Sequence, residues 1–144
     1  MYDHILIPTD GSDAATAAVD QAVGLATEFD AALHVLYVVD TSAVAPEMGA
    51  ASVLDAFEQA GQTAVDEVVD RAQAAGVETI EGMVGRGSPH QTILEYATNN
   101  DIDLIVMGTH GRTGLDRYLL GSVAEKVVRL ADAPVLTVRS SGQS

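Results

Sequence analysis

The chain has 144 residues, 47% of them hydrophobic, and carries 21 acidic side chains against 7 Lys and Arg, for a formal net charge of −14. That content is too apolar for disorder, no run reaches the roughly 18 apolar residues of a membrane span, and the acidity argues against nucleic-acid and anionic-membrane partners. With no cysteine there are no disulfides, thiolate nucleophiles or cysteine-ligated metals, and the length suits a single domain over residues 1–144.

"HILI" reads as a first strand ending at Pro8. Ser12 is placed to cap a helix through "AATAAVDQAVGLATEF", in which Ala18, Ala22, Leu25 and Phe29 recur at helical spacing. "ALHVLYVV" is a second strand, and "DTSAVAPEMGA" mixes turn formers with small residues as the best candidate for a mobile loop. A long helix follows, with Leu54, Phe57, Gly61, Ala64, Val65, Val68, Ala72 and Ala75 at three- and four-residue intervals and Gly76 placed to end it. "VETIEGMV" alternates with a period of two, as a strand at a sheet edge does. In "GRGSPHQTILEYATNN", Ser88 reads as N-cap, Pro89 as the first helical residue and Gln91 as the closing member of a capping box. "IDLIVM" is a central strand, "SVAEKVVRLADA" a last helix, and "VLTVR" after Pro134 a short edge strand. The alternation builds an open five-stranded parallel sheet with right-handed crossovers and helices on both faces.

Ligands of such sheets bind beyond the carboxyl ends of the strands, where the chain order reverses. Two loops are equipped for this: "PTDGS" after the first strand and "GTHGRTG" after the fourth, which an order 3-2-1-4-5 sets side by side. The second loop is neither a P-loop nor a dinucleotide fingerprint. It carries G-x2-G-x9-G-S at Gly108, Gly111, Gly121 and Ser122, where glycine lets backbone N–H groups approach a polyanion and the start of the last helix receives it. Between Gly108 and Arg129 the bases Arg112, Arg117, Lys126 and Arg129 outnumber the acids Asp116 and Glu125, four against two, so the segment is locally cationic. Remote carboxylates are screened within about 8 Å at physiological salt, whereas each hydrogen bond to a charged group is worth about 1.5–3 kcal/mol. Blander readings stand beside these: Ser122 with Glu125 is also a capping box, and Asp10 also shapes a turn through an Asx bond. The four histidines have no metal-site spacing.

From "HILIPTDGS" to "APVLTVR" the chain resembles the universal stress protein family, with "PTDGS", "VLYVVD" and "VMGTHGRTGLDRYLLGSVAEKVV" carrying the likeness. The resemblance implies a Rossmann-like fold of the adenine-nucleotide alpha hydrolase-like kind, order 3-2-1-4-5, and, with the glycine motif intact, ATP binding. Carried over by position, Asp10 contacts the ribose or the phosphate–metal region, with Pro8 and Thr9 lining the same end. Val38 takes the adenine-contacting position, and Met107 and Gly108 border ribose and base. Gly111, Gly121, Ser122 and Val123 surround the phosphates, Arg112 lies in the same loop, and Asp116 brings a negative charge close to it.

The expected function is therefore an ATP-binding stress or signalling module, the nucleotide arriving with Mg or Mn and Asp10 reaching the metal through the phosphates. No catalytic residue is assigned; the alternative is a slow ATPase or ATP-activating enzyme using Asp10 on magnesium and Arg112 on phosphate. A phosphoacceptor role for Asp10 and Asp40 lacks its lysine after the last strand, where Arg139 stands. Strand Val135–Arg139 is placed to pair with its twin in a homodimer, as the family's dimers do. "MYDHILIPTD" has no basic n-region or long apolar h-region, so a cytoplasmic location is expected. One lysine among so many acids further suggests a high-salt cytoplasm.

Overall fold

A computed structural model describes residues 2–11, 13–41, 50–108 and 122–139. Among these, strands β1 (His4–Pro8), β2 (Ala32–Asp40), β3 (Ile80–Gly87), β4 (Leu104–Gly108) and β5 (Val135–Val138) alternate with helices α1 (Asp13–Phe29), α2 (Ala50–Ala74), α3 (Pro89–Asn99) and α4 (Ser122–Leu130). The sheet is parallel, in the order β3-β2-β1-β4-β5. The residue expected to cap α1, Ser12, and most of the expected mobile loop lie outside the described residues.

Apolar side chains on alternate sides of the strands build two cores. Ile5, Ile7, Leu33, Val35 and Val106 pack under α1 and α2 through Ala18, Ala22, Val65 and Val68. Leu6, Leu36, Ile105 and Met107 pack under α3 and α4 through Ile93, Ala97, Ala124 and Val127. Ile5, Leu6 and Ile7 have no exposed surface, and burying each such side chain contributes about 1.5–3 kcal/mol. A continuously apolar β1 is what a central strand covered on both faces requires.

Three helices end alike. The N–H groups of Ala31, Val77 and Ile102 donate to the carbonyls of Ala26, Ala72 and Ala97 at 2.9–3.0 Å, each across a residue in the left-handed region: Asp30, Gly76 and Asp101. This closure satisfies carbonyls at the end of each helix and turns the chain toward the next strand. It also shifts one strand from its expected place: Val77 belongs to the end of α2, and the third strand runs over Ile80–Gly87 rather than beginning at Val77. The last helix stops at Leu130, short of the expected Ala133. Pro134 disfavours helical backbone at the residue before it, and its carbonyl instead accepts the Ile105 N–H at 2.9 Å as the β4–β5 pairing begins. The capping box at α3 is not made, because Ser88 forms no side-chain cap bond and its Oγ lies 3.3 Å from His90 Nδ1.

Candidate nucleotide site

Parallel register decides which loops meet. Pro8 is opposite Leu36, and the ladder continues one residue further, with the Thr9 N–H donating to the Leu36 carbonyl at 2.9 Å. On the other side of β1, Ile5 and Leu6 pair with Leu104 and Ile105, so the same register carried forward sets Pro8 abreast of Met107. Successive strands connect to opposite sides of β1, which places Pro8–Gly11 and Met107–Gly108 at the reversal of strand order, outside the carboxyl ends.

The β1 loop is held by its own side chains. Thr9 is buried and its Oγ1 accepts the Gly11 N–H at 3.2 Å, while Gly11 takes φ 79°, a conformation that glycine adopts at little cost. The threonine thus supplies a bond that shapes this turn. Asp10 is partly exposed beside it.

Val38 lies two residues beyond the end of the β1 pairing, where β2 continues against β3 alone: Val38 faces Gly85, Val39 Arg86 and Asp40 Gly87. Val38 and Val123 pack against the core that contains Met107, so three of the expected contact positions share the α3–α4 side of the sheet. Gly111, Arg112 and Gly121 lie outside the described residues.

At this end of the sheet is an open cleft of ≈ 390 Å³, within the roughly 300–1,000 Å³ typical of small-molecule sites. Ser122, Val123 and Lys126 of α4 form one wall, Ser88, Pro89 and His90 the wall toward α3, and Asp40 and Thr41 at the end of β2 also line it. Ser122 and Lys126 are four residues apart and so occupy one side of α4. Lys126 makes no ion pair with a described residue, whereas Arg71 pairs with Asp20 at 2.5 Å and Arg86 with Glu58. The Arg86 guanidinium, by its hydrogen bond, holds the Glu58 carboxyl below the usual carboxylate range. A second depression, of ≈ 250 Å³, lies between α3 and α4 against Asp101, Ile102 and Ala133. Those residues precede β4 and β5, so it opens at the amino ends, away from the reversal.

The cleft adds participants that motif reading had not placed together. In the sequence, Ser88 is the expected N-cap of the third helix, His90 follows it within the same segment, and Asp40 stands with Asp10 as a phosphoacceptor candidate. Only the β2–β3 pairing of Asp40 with Gly87 reveals that the start of α3 stands beside the end of β2. Among the described residues, no group of three or more His, Asp or Glu side chains is arranged to hold a metal ion. The residues fit an anionic organic ligand better, with the Lys126 ammonium, hydroxyls and an apolar contact at Val123 lining one opening.

The model of the universal stress protein family matches residues 1–139. A universal stress protein of Methanocaldococcus jannaschii is 43% identical over 142 residues, covering 96% of this chain and 83% of the relative. The universal stress protein YxiE of Bacillus subtilis is 34% identical over 149 residues, covering 96% and 100%. Among solved structures, a universal stress protein from Lactobacillus plantarum superposes with TM-score 0.88 at 34% identity, over 96% of this chain and 98% of that one. A universal stress protein crystallised in complex with cAMP gives TM-score 0.73 at 31% identity, over 97% and 98%. Sheet order, near-complete coverage and sequence identity agree, and the chain belongs to the universal stress protein family.

Proposed function

We propose that this protein binds ATP at the carboxyl ends of β1 and β4 and acts, as a homodimer of single-domain chains, in nucleotide-dependent stress signalling in the cytoplasm. The observation that carries the reading is the convergence of Pro8–Asp10, Met107–Gly108 and Ser122–Val123 on one end of the sheet, beside a cleft lined by the Lys126 ammonium. The similarity to a family member in complex with cAMP supports an adenine nucleotide as the ligand class.

In this reading Val38 meets the base and Met107 and Gly108 border the ribose. Gly111, Arg112, Gly121, Ser122 and Val123 surround the phosphates. Mg or Mn enters with those phosphates, Asp10 being the carboxylate that reaches it. The dimer forms through β5: the strand is at a sheet edge, and its Leu136 is exposed.

Equilibrium dialysis of nucleotide-free protein against labelled ATP, with and without excess cAMP, tests the site. Saturable uptake of one ATP per chain is expected, and no uptake would sink the proposal. The same samples, followed for ADP, distinguish binding from turnover: many products per site per minute would make the protein an enzyme instead. Mass spectrometry of the small molecules released on denaturation identifies what the protein carries when purified.

A further inference from the structure

Away from the cleft, the face of the sheet under α3 carries a chain of polar rings with a buried histidine at its centre. His34 on β2 is only 3% exposed. Its Nδ1 lies 2.7 Å from the Tyr96 hydroxyl of α3, and its Nε2 lies 3.2 Å from His4 Nδ1 on β1. The Tyr96 ring stands edge-on to His34, with centroids 5.5 Å apart. A buried imidazole bonded at both nitrogens, to a strand on one side and a helix on the other, joins two layers of the fold through a titratable group.

The proton count of this chain is restrictive. Each contact has room for one hydrogen. With neutral rings, two arrangements satisfy both: the Tyr96 hydroxyl donates to His34 Nδ1 and His34 Nε2–H to His4 Nδ1, or His4 Nδ1–H donates to His34 Nε2 and His34 Nδ1–H to the Tyr96 hydroxyl oxygen. Protonating both imidazoles sets N–H against N–H across 3.2 Å, and protonating His34 alone leaves a charge in a site closed to water. We propose that the His4–His34–Tyr96 chain is a proton-linked fastener, which holds α3 on the sheet while His34 is neutral and lets the helix lift when that ring takes up a proton.

Other groups facing His34 do not remove this cost. Glu81 is its register partner on β3, and Asp103, before β4, accepts the backbone N–H groups of Asp3 and His4 at the His4 end. Burial lowers the affinity of His34 for a proton, Glu81 partly opposes that, and His4 adds to it, with the net direction below the ordinary 6.5. A histidine so depressed contributes its full stabilisation above about pH 6.5 and loses it as pH falls below that value, because only the opened state then binds the proton. The helix it fastens also carries Pro89 and His90 into the cleft, so opening withdraws part of that wall.

Amide hydrogen exchange of the whole protein at several pH values, corrected for intrinsic exchange rates, reads the opening of α3 against α1 on the other face. The opening constant of α3 is expected to rise by up to about tenfold per pH unit below pH 6.5, the limit for one proton. The slope should vanish in His34→Gln, which cannot take up the charge. An α3 slope that is absent in the wild type, or unchanged in His34→Gln, overturns the proposal. Should that variant fail to fold, ring-nitrogen NMR of the wild type decides: His34 becoming charged near pH 6.5 while α3 stays protected rejects the fastener, and a ring neutral until α3 exchanges supports it.

Discussion

Two glycines in helix interiors receive the same substitution with opposite expected results. Gly24, in α1, is exposed, and a Cβ built there meets nothing within 4 Å. Gly61, in α2, is buried, and its Cβ would lie 2.6 Å from Cδ1 and 3.0 Å from Cε1 of Tyr37. Alanine in a helix interior is favoured over glycine by about 0.8–1.0 kcal/mol, so Gly24→Ala should stabilise the protein by roughly that amount. At Gly61 the same gain is opposed by overpacking, which costs about 1–3 kcal/mol. Tyr37 belongs to the α1–α2 core and is only 8% exposed, so the ring has little room to move aside. Gly61→Ala should therefore lie about 1–3 kcal/mol below Gly24→Ala, on the order of 2–10 °C in Tm for a chain of this size. Urea unfolding at one fixed protein concentration measures both, with equal m-values confirming that the unfolded states match. Equal stabilisation by the two alanines would show that α2 does not approach β2 through Gly61 and would refute the reasoning.

Three further outcomes bear on the proposed function. Lys126→Glu, which reverses a charge lining the cleft, should weaken ATP binding by roughly 5–30-fold, equivalent to about 1–2 kcal/mol, with the melting temperature nearly unchanged; dialysis showing equal affinity would remove Lys126 from the site. Leu136→Arg places a charge on the exposed side of β5 and should shift sedimentation at micromolar concentration from dimer to monomer; an unaltered dimer would place the interface elsewhere. With a net charge of −14, stability should rise between dilute and molar KCl as the screening length shrinks from about 10 Å at 0.1 M to about 3 Å at 1 M. A flat melting series would exclude adaptation to high salt.

The sequence alone determined the order of strands and helices, the central place of the strand holding Ile105, the glycine ending α2 and the motif from Gly108 to Ser122. These follow from local rules: periods of two and 3.6, caps, and residues tolerant of positive φ. Even locally, competition between elements moved boundaries, as Val77 went to the end of α2 and Pro134 cut α4 short. The tertiary structure decided which distant residues meet. Parallel register puts Asp40 opposite Gly87 and so brings His90 to the cleft with Lys126, and the close crossing of α2 over β2 makes Gly61 a contact with Tyr37. His34 sits in an apolar strand sequence with nothing local to mark it, and its partners stand 30 and 62 positions away in the chain. No periodicity encodes such pairings, because they depend on strand register and helix crossing, which are set only when the layers pack.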